Sequence, residues 1–212
     1  MRLRNGPHGY GLATKLLHWL TFAVVVTQFA VGWTMNPDDA LDREDERLDV
    51  LEERSEEGGE ASEERAEAEI DRREDALDAR EDDIAADTFS DLVSGDFLSS
   101  GVSGLEWHVL FGLIVLALGV LRVVWRMITP LPPWAEHLAA GERTFESWLE
   151  KILLSLLLVV PLTGLFMVAG STGLLPVHVG AQIALLTAVS LHVSLVLKHT
   201  VVRRNRHLAR ML

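Results

Sequence analysis

The chain contains no cysteine. Disulfides, iron–sulfur clusters, thiolate ligation and covalent c-type haem attachment are excluded by that one absence. Acidic residues are scarce outside one segment. From Asp38 to Asp96 there are 26 acidic and 7 basic residues, a net charge of −19, whereas the rest of the chain has 5 acidic and 12 basic residues, a net charge of +7. The overall charge of −12 therefore describes neither part. No internal repeat is evident, and the apolar runs hold too few polar groups to line a substrate path, which argues against a transporter. No small-x-small cleavage site follows the first apolar run. The basic start, Arg2, Arg4 and Lys15, thus reads as the entry to a retained helix rather than as a signal peptide.

Four long apolar runs are present. They predict helices over about Thr14 to Met35, Leu105 to Ile128, Trp148 to Val168 and Leu175 to Val202, each long enough to cross a bilayer. The expected fold is all-α, an integral membrane four-helix bundle with a long acidic insert between helices 1 and 2. Residues 1–36 would be the first helix with a cytoplasmic N-terminus, 37–104 the extracytoplasmic insert, and 105–212 helices 2–4 with a basic cytoplasmic C-terminus. The cations support that orientation. Arg2, Arg4 and Lys15, then Arg122 and Arg126, then Arg143 and Lys151, then Lys198, Arg203, Arg204, Arg206 and Arg210 all fall on one side if the chain crosses four times. Trp107 and Trp148 are expected at helix ends, as interfacial aromatics. Pro161 should kink the third helix, and Pro130, Pro132 and Pro133 should keep the start of the link before it from being helical. The link from Ala169 to Leu175 reads as a Gly/Ser/Thr turn.

The insert reads as two weak helices around a break at Ser55 to Gly59. Leu41 and Leu48 are seven apart, as are Ile70, Leu77 and Ile84, and Asp39/Arg43 and Glu69/Arg73 are favourable pairs one turn apart. Its few apolar residues are equally consistent with a solvated segment that does not offset its ordering entropy. Three roles stay open: a surface hydrated at high salt, a dock for a cationic electron-transfer partner, and a passive linker.

Ionisable residues inside a spanning helix are costly and mark function. Four histidines qualify: His18 in helix 1, His108 in helix 2, and His178 and His192 in helix 4. His178 and His192 are fourteen residues apart, close to four turns, so they leave one face roughly 21 Å apart along the axis. Counted from the helix ends, His18 matches His192 in depth near the inner surface, and His108 matches His178 near the outer one. Two histidines at equal depth on facing helices are what a six-coordinate haem iron needs, and the sequence offers two such sets. A chelated metal fits less well, because the two histidines of helix 4 cannot share an ion and the helices offer almost no carboxylate. Any one of these imidazoles alone could be a polar tip in the headgroup region. His199, seven residues after His192, is the rival for the inner ligand. It reads better as a neighbour of the haem propionates, with Lys198, Arg122 and Arg126 as candidate charge partners or plain positive-inside anchors. His8, His137 and His207 sit in loops or tails and carry no expected role.

At KLLHW (15–19), HVLFG (108–112), LRVVWR (121–126), PLTG (161–164) and the C-terminal LHVSLVLKHTVVRRNRHLARML, the chain resembles the prokaryotic cytochrome b561 family and, more broadly, the cytochrome b subunits of membrane hydrogenases. The resemblance covers the four helices and not the insert. It implies a protein with two haem b groups in the cell inner (cytoplasmic) membrane, passing electrons between ubiquinone or menaquinone and another redox partner, with the histidines matching His18, His108, His178 and His192 as ligands. The family often carries a His and a Tyr ahead of the proline of helix 3, where this chain has Glu150 and Leu154. Glu150 is the candidate to replace them in handling quinone protons. The family's loop between helices 1 and 2 is also short, unlike the insert. The expected partners are membrane lipid, quinone and a redox protein at the insert, with homodimerisation left open and no nucleic acid. The rival function is a haem-binding anchor subunit of a dehydrogenase or hydrogenase complex.

Overall fold

In the computed structural model of the protein, the described residues are 2–6, 9–34, 50, 68–73, 75–76, 79, 83, 86–88, 90–91, 94–95, 104–133, 139–170 and 172–202. Four helices dominate them: α1 Leu12–Thr34, α2 Gly104–Ile128, α3 Ala140–Val168 and α4 Leu175–Leu197. A 3-10 turn, Thr172–Leu174, leads into α4, and a π turn, Lys198–Val202, continues it. Among the described residues there is no sheet, only one isolated bridge between Gly6 and Gly9. All four helices are long and apolar enough to cross a membrane. Even 23 residues span about 35 Å, more than the roughly 30 Å of hydrocarbon. The chain is a multi-pass membrane protein.

The distribution of apolar side chains follows from that solvent. Large ones stand exposed on every helix, among them Phe22 and Val26 of α1, Val120 and Val124 of α2, Val159 and Phe166 of α3, and Ile183 and Leu186 of α4. A helix surrounded by lipid has no reason to segregate its apolar face. What is buried is a narrow seam, including Val115 and Leu118 of α2, Leu157 of α3, and Leu185 and Ala188 of α4.

The described chain falls into two compact units. One comprises Met1–Ala30, Val109–Met167 and Gly173–Leu212; the other comprises Val31–His108 and Val168–Thr172. In the larger unit the helices contact in a closed ring of antiparallel neighbours. Trp125 of α2 donates its indole N–H to the Thr14 hydroxyl of α1 at 3.0 Å, and that hydroxyl donates to Asn5 Oδ1 at 2.7 Å. Asn5 Oδ1 also accepts the Gly11 amide (2.9 Å), so one side chain gathers the loop before α1. Gly11 is confined there, because a Cβ would collide with the backbone of Leu3 and Arg4. Gly119 of α2 lies against α3: a Cβ on it would sit 3.1 Å from the Leu157 carbonyl oxygen and 3.0 Å from Leu158 Cδ2. Pro161 has no N–H to give that Leu157 carbonyl, so the glycine meets α3 at the turn the proline leaves open. Small residues at such crossings let membrane helices pack closely where no hydrophobic force drives them together. α3 meets α4 through His178, and α4 closes on α1 through His192.

The helix ends agree with the sequence reading at most boundaries. α2 ends at Ile128 and α3 at Val168, as expected, with Pro130–Pro133 outside any helix. Gly170 takes φ +98°, the left-handed conformation that stops a helix, before Leu175 and Pro176 start the next. One boundary needs correction. α3 starts at Ala140, not near Trp148, so Trp148 lies more than two turns inside the helix rather than at its end. The added turns are polar and give no apolar signal. They are fastened locally, since Glu142 accepts the Ala139 amide at 3.3 Å in the manner of a capping box, and by cations from α2 and α4 described below.

In the smaller unit, residues 68–73 are helical, and Glu69 pairs with Arg73 at 2.9 Å and with Arg72 at 3.4 Å. The Arg73 hydrogen bond holds the Glu69 carboxyl below the usual carboxylate range. Leu41, Leu48, Leu77, Ile84, the Asp39/Arg43 pair and the Ser55 to Gly59 break lie outside the described residues, as do His8, His137, His207 and the cations from Arg203 onward.

Candidate functional site

His18, midway along the second turn of α1, and His192, near the end of α4, face each other in the larger unit. Their ring centres are 6.2 Å apart and their planes inclined at 61°. Two imidazoles brought together from facing helices are the donor set a haem iron would take, so His18 and His192 are the side chains that would hold one here. Arg122 of α2, half-buried, is an electrostatic neighbour of both rings and of Glu150. It is the cation closest in kind to what a propionate would need. Among the described residues, no three His, Cys, Asp or Glu side chains gather as a chelating site.

His178 is buried at the other end of α4. The Thr163 hydroxyl donates to the Val160 carbonyl at 2.8 Å, so its oxygen accepts Nδ1–H of His178 at 2.9 Å. The Gln182 amide, one turn along α4, donates to Nε2 of His178 at 2.7 Å. Both contacts suit the tautomer with the proton on Nδ1 and the lone pair on Nε2, the form a metal-binding imidazole takes. Gln182 would have to swing off Nε2 for that nitrogen to bind iron. Gly164 lies flush against the ring, since a Cβ there would be 3.0 Å from Cε1 of His178. In the smaller unit, His108 is packed in the same manner, with a Cβ on Gly32 of α1 falling 3.1 Å from its Cε1 and 3.2 Å from its Nδ1. Sequence reasoning did not single out Gln182 or Gly32, and it took Thr163 and Gly164 only as part of the PLTG stretch, whose proline reads as a kink.

Lys198, His199 and Arg126, near the inner pair, have partners on α3. Lys198 donates to Glu142 at 3.1 Å, His199 lies 3.3 Å from Glu146, and Arg126 donates to Glu150 at 2.8 Å. Glu142, Glu146 and Glu150 are spaced four apart and form one face of α3, a face that exists only because the helix begins at Ala140. His199 is fully buried within the π turn.

Four antiparallel apolar helices that hold imidazoles between them are the build of a membrane b-type cytochrome. The family model for prokaryotic cytochrome b561 matches residues 9–212, and the chain belongs to that family. It is a haem-containing electron-transfer protein of the membrane, and the haem is of the b type. Neither the curated proteins nor the solved structures give a match.

Proposed function

We propose that the chain binds two haem b groups with His18, His108, His178 and His192 as ligands, His18 and His192 serving the one near the inner surface, and moves electrons between quinone and a second redox partner. The 6.2 Å spacing of the His18 and His192 rings supports this reading most directly. Held by these imidazoles, each haem would supply a one-electron couple. The chain's part is to fix the ligand nitrogens, exclude water and balance charge. Arg122 serves the inner site as counter-charge, whereas Lys198 and His199 act through Glu142 and Glu146 on α3. The basic helix ends favour cytoplasmic termini in an inner membrane, as an acidic insert on the outer side requires.

The reading is tested by a reduced-minus-oxidised spectrum of the detergent-purified protein with a pyridine haemochrome count. Two low-spin b haems per chain are expected. One haem would mean that one histidine pair is wrong, and none, from cells able to supply haem, would overturn the proposal.

The insert holds none of the four histidines, so deleting residues 39–87 should leave the haem count unchanged. Electron transfer with a cationic partner protein, followed against salt, then separates the roles of the insert. A slower and less salt-sensitive rate in the deletion marks docking by the −19 surface, and an unchanged rate marks a hydrated surface or linker.

A further inference from the structure

We propose that Thr163 is a positioning residue for the outer haem: its hydroxyl fixes the ring and the Nδ1–H of His178, and so lowers the reduction potential of the haem that His178 ligates. This rests on the reading of His178 as a ligand, and it adds a device that controls that ligand.

The argument starts from the protons. The Thr163 hydroxyl has one hydrogen, which goes to the Val160 carbonyl in the preceding turn of α3. Its oxygen is then available to accept Nδ1–H of His178 at 2.9 Å, which is the tautomer of an imidazole that would bind a metal through Nε2. The Gln182 amide nitrogen, 2.7 Å from Nε2, agrees with that tautomer, since its N–H can donate to an unprotonated nitrogen. Nδ1–H, hydroxyl and carbonyl thus form a chain in which each member polarises the next. Pull on Nδ1–H gives the imidazole more anionic character and makes Nε2 a stronger donor. A stronger donor stabilises ferric iron over ferrous, which lowers the potential. The hydroxyl also limits rotation about the Cβ–Cγ bond of His178, so the ring plane is set from α3, not from α4 alone. A neighbouring residue completes the seat, since Gly164 leaves the ring room to come within reach of Thr163. The consecutive pair Thr163–Gly164 therefore supplies both the hydrogen bond and the clearance.

The test uses the full chain with haem bound. Thr163→Val keeps the shape and removes the acceptor, while Thr163→Ser restores the hydroxyl without the methyl. Haem per chain, the midpoint potential of each haem, and the ferric low-spin electron paramagnetic resonance signals are measured in both. Thr163→Val should keep two haems, shift one midpoint upward and leave the other unmoved, with a change in one low-spin signal. Thr163→Ser should return both to the parent values. Loss of one haem in Thr163→Val that Thr163→Ser repairs supports the same role. Unmoved midpoints and signals in Thr163→Val, or an equal defect in Thr163→Ser, would overturn it. His178→Ala keeps the two questions apart: if it retains both haems, the ligand reading itself fails, whatever Thr163 does.

Discussion

His18→Ala is expected to halve the haem content, from two per chain to one, with the remaining haem unchanged in potential. His192→Ala should have the same effect, and the double variant should lose no more than either alone, because the proposed inner site takes both side chains. The geometry makes this a sharp expectation. The two rings lie 6.2 Å apart across α1 and α4, so a haem held there would draw on both imidazoles, and either truncation would take away one of them. The rival ligand His199 is fully buried against Glu146, and its ring contact with α3 turns it to a different partner. His199→Ala should accordingly keep both haems. His108→Ala should remove the other haem and spare the inner one. Both haems persisting in His18→Ala, or one haem leaving with His199 rather than His192, would reassign the inner site. The haemochrome count distinguishes these results without any partner protein.

Much of this was legible before any coordinates. Helices in lipid must be long, apolar and internally hydrogen-bonded, so their lengths and ends appear in sequence as unbroken runs closed by Pro130, Gly170 and Pro176. The histidines stand out because an ionisable group is rare in such a run. The first turns of α3 were not legible for the opposite reason. Residues 140–147 include glutamates, an arginine and serine or threonine, which read as loop, and their partners come from elsewhere in the chain: Lys198 to Glu142, His199 to Glu146 and, one turn further on, Arg126 to Glu150. Depth matching pairs His18 with His192 and sets His199, two turns further on, at the basic surface; its burial within the π turn against Glu146 is the part that the sequence does not carry.

Gly164→Val is expected to remove the outer haem almost completely, and Gly164→Ala to lower its occupancy or shift its potential while the inner haem stays as it was. Glycine inside a helix costs about 1 kcal/mol relative to alanine, so at an indifferent position Gly164→Ala would stabilise α3. Here the added carbon would sit 3.0 Å from Cε1, 3.5 Å from Nδ1 and 3.6 Å from Nε2 of His178. The ring cannot yield freely, because Thr163 holds its Nδ1 at 2.9 Å, so relief of the contact must lengthen that bond or turn the imidazole. Either movement disturbs Nε2, the nitrogen that would face iron, and a branched side chain demands more of it than a single methyl can. A parallel effect is expected at Gly32, where a Cβ would meet His108 at 3.1 Å and 3.2 Å. Circular dichroism melts alongside haem counts separate the outcomes. Full haem content with a raised melting temperature in Gly164→Ala would mean that the glycine has no role in seating His178. Reduced content with unchanged helicity would show that this position was kept small for the imidazole, against the preference of the helix that carries it.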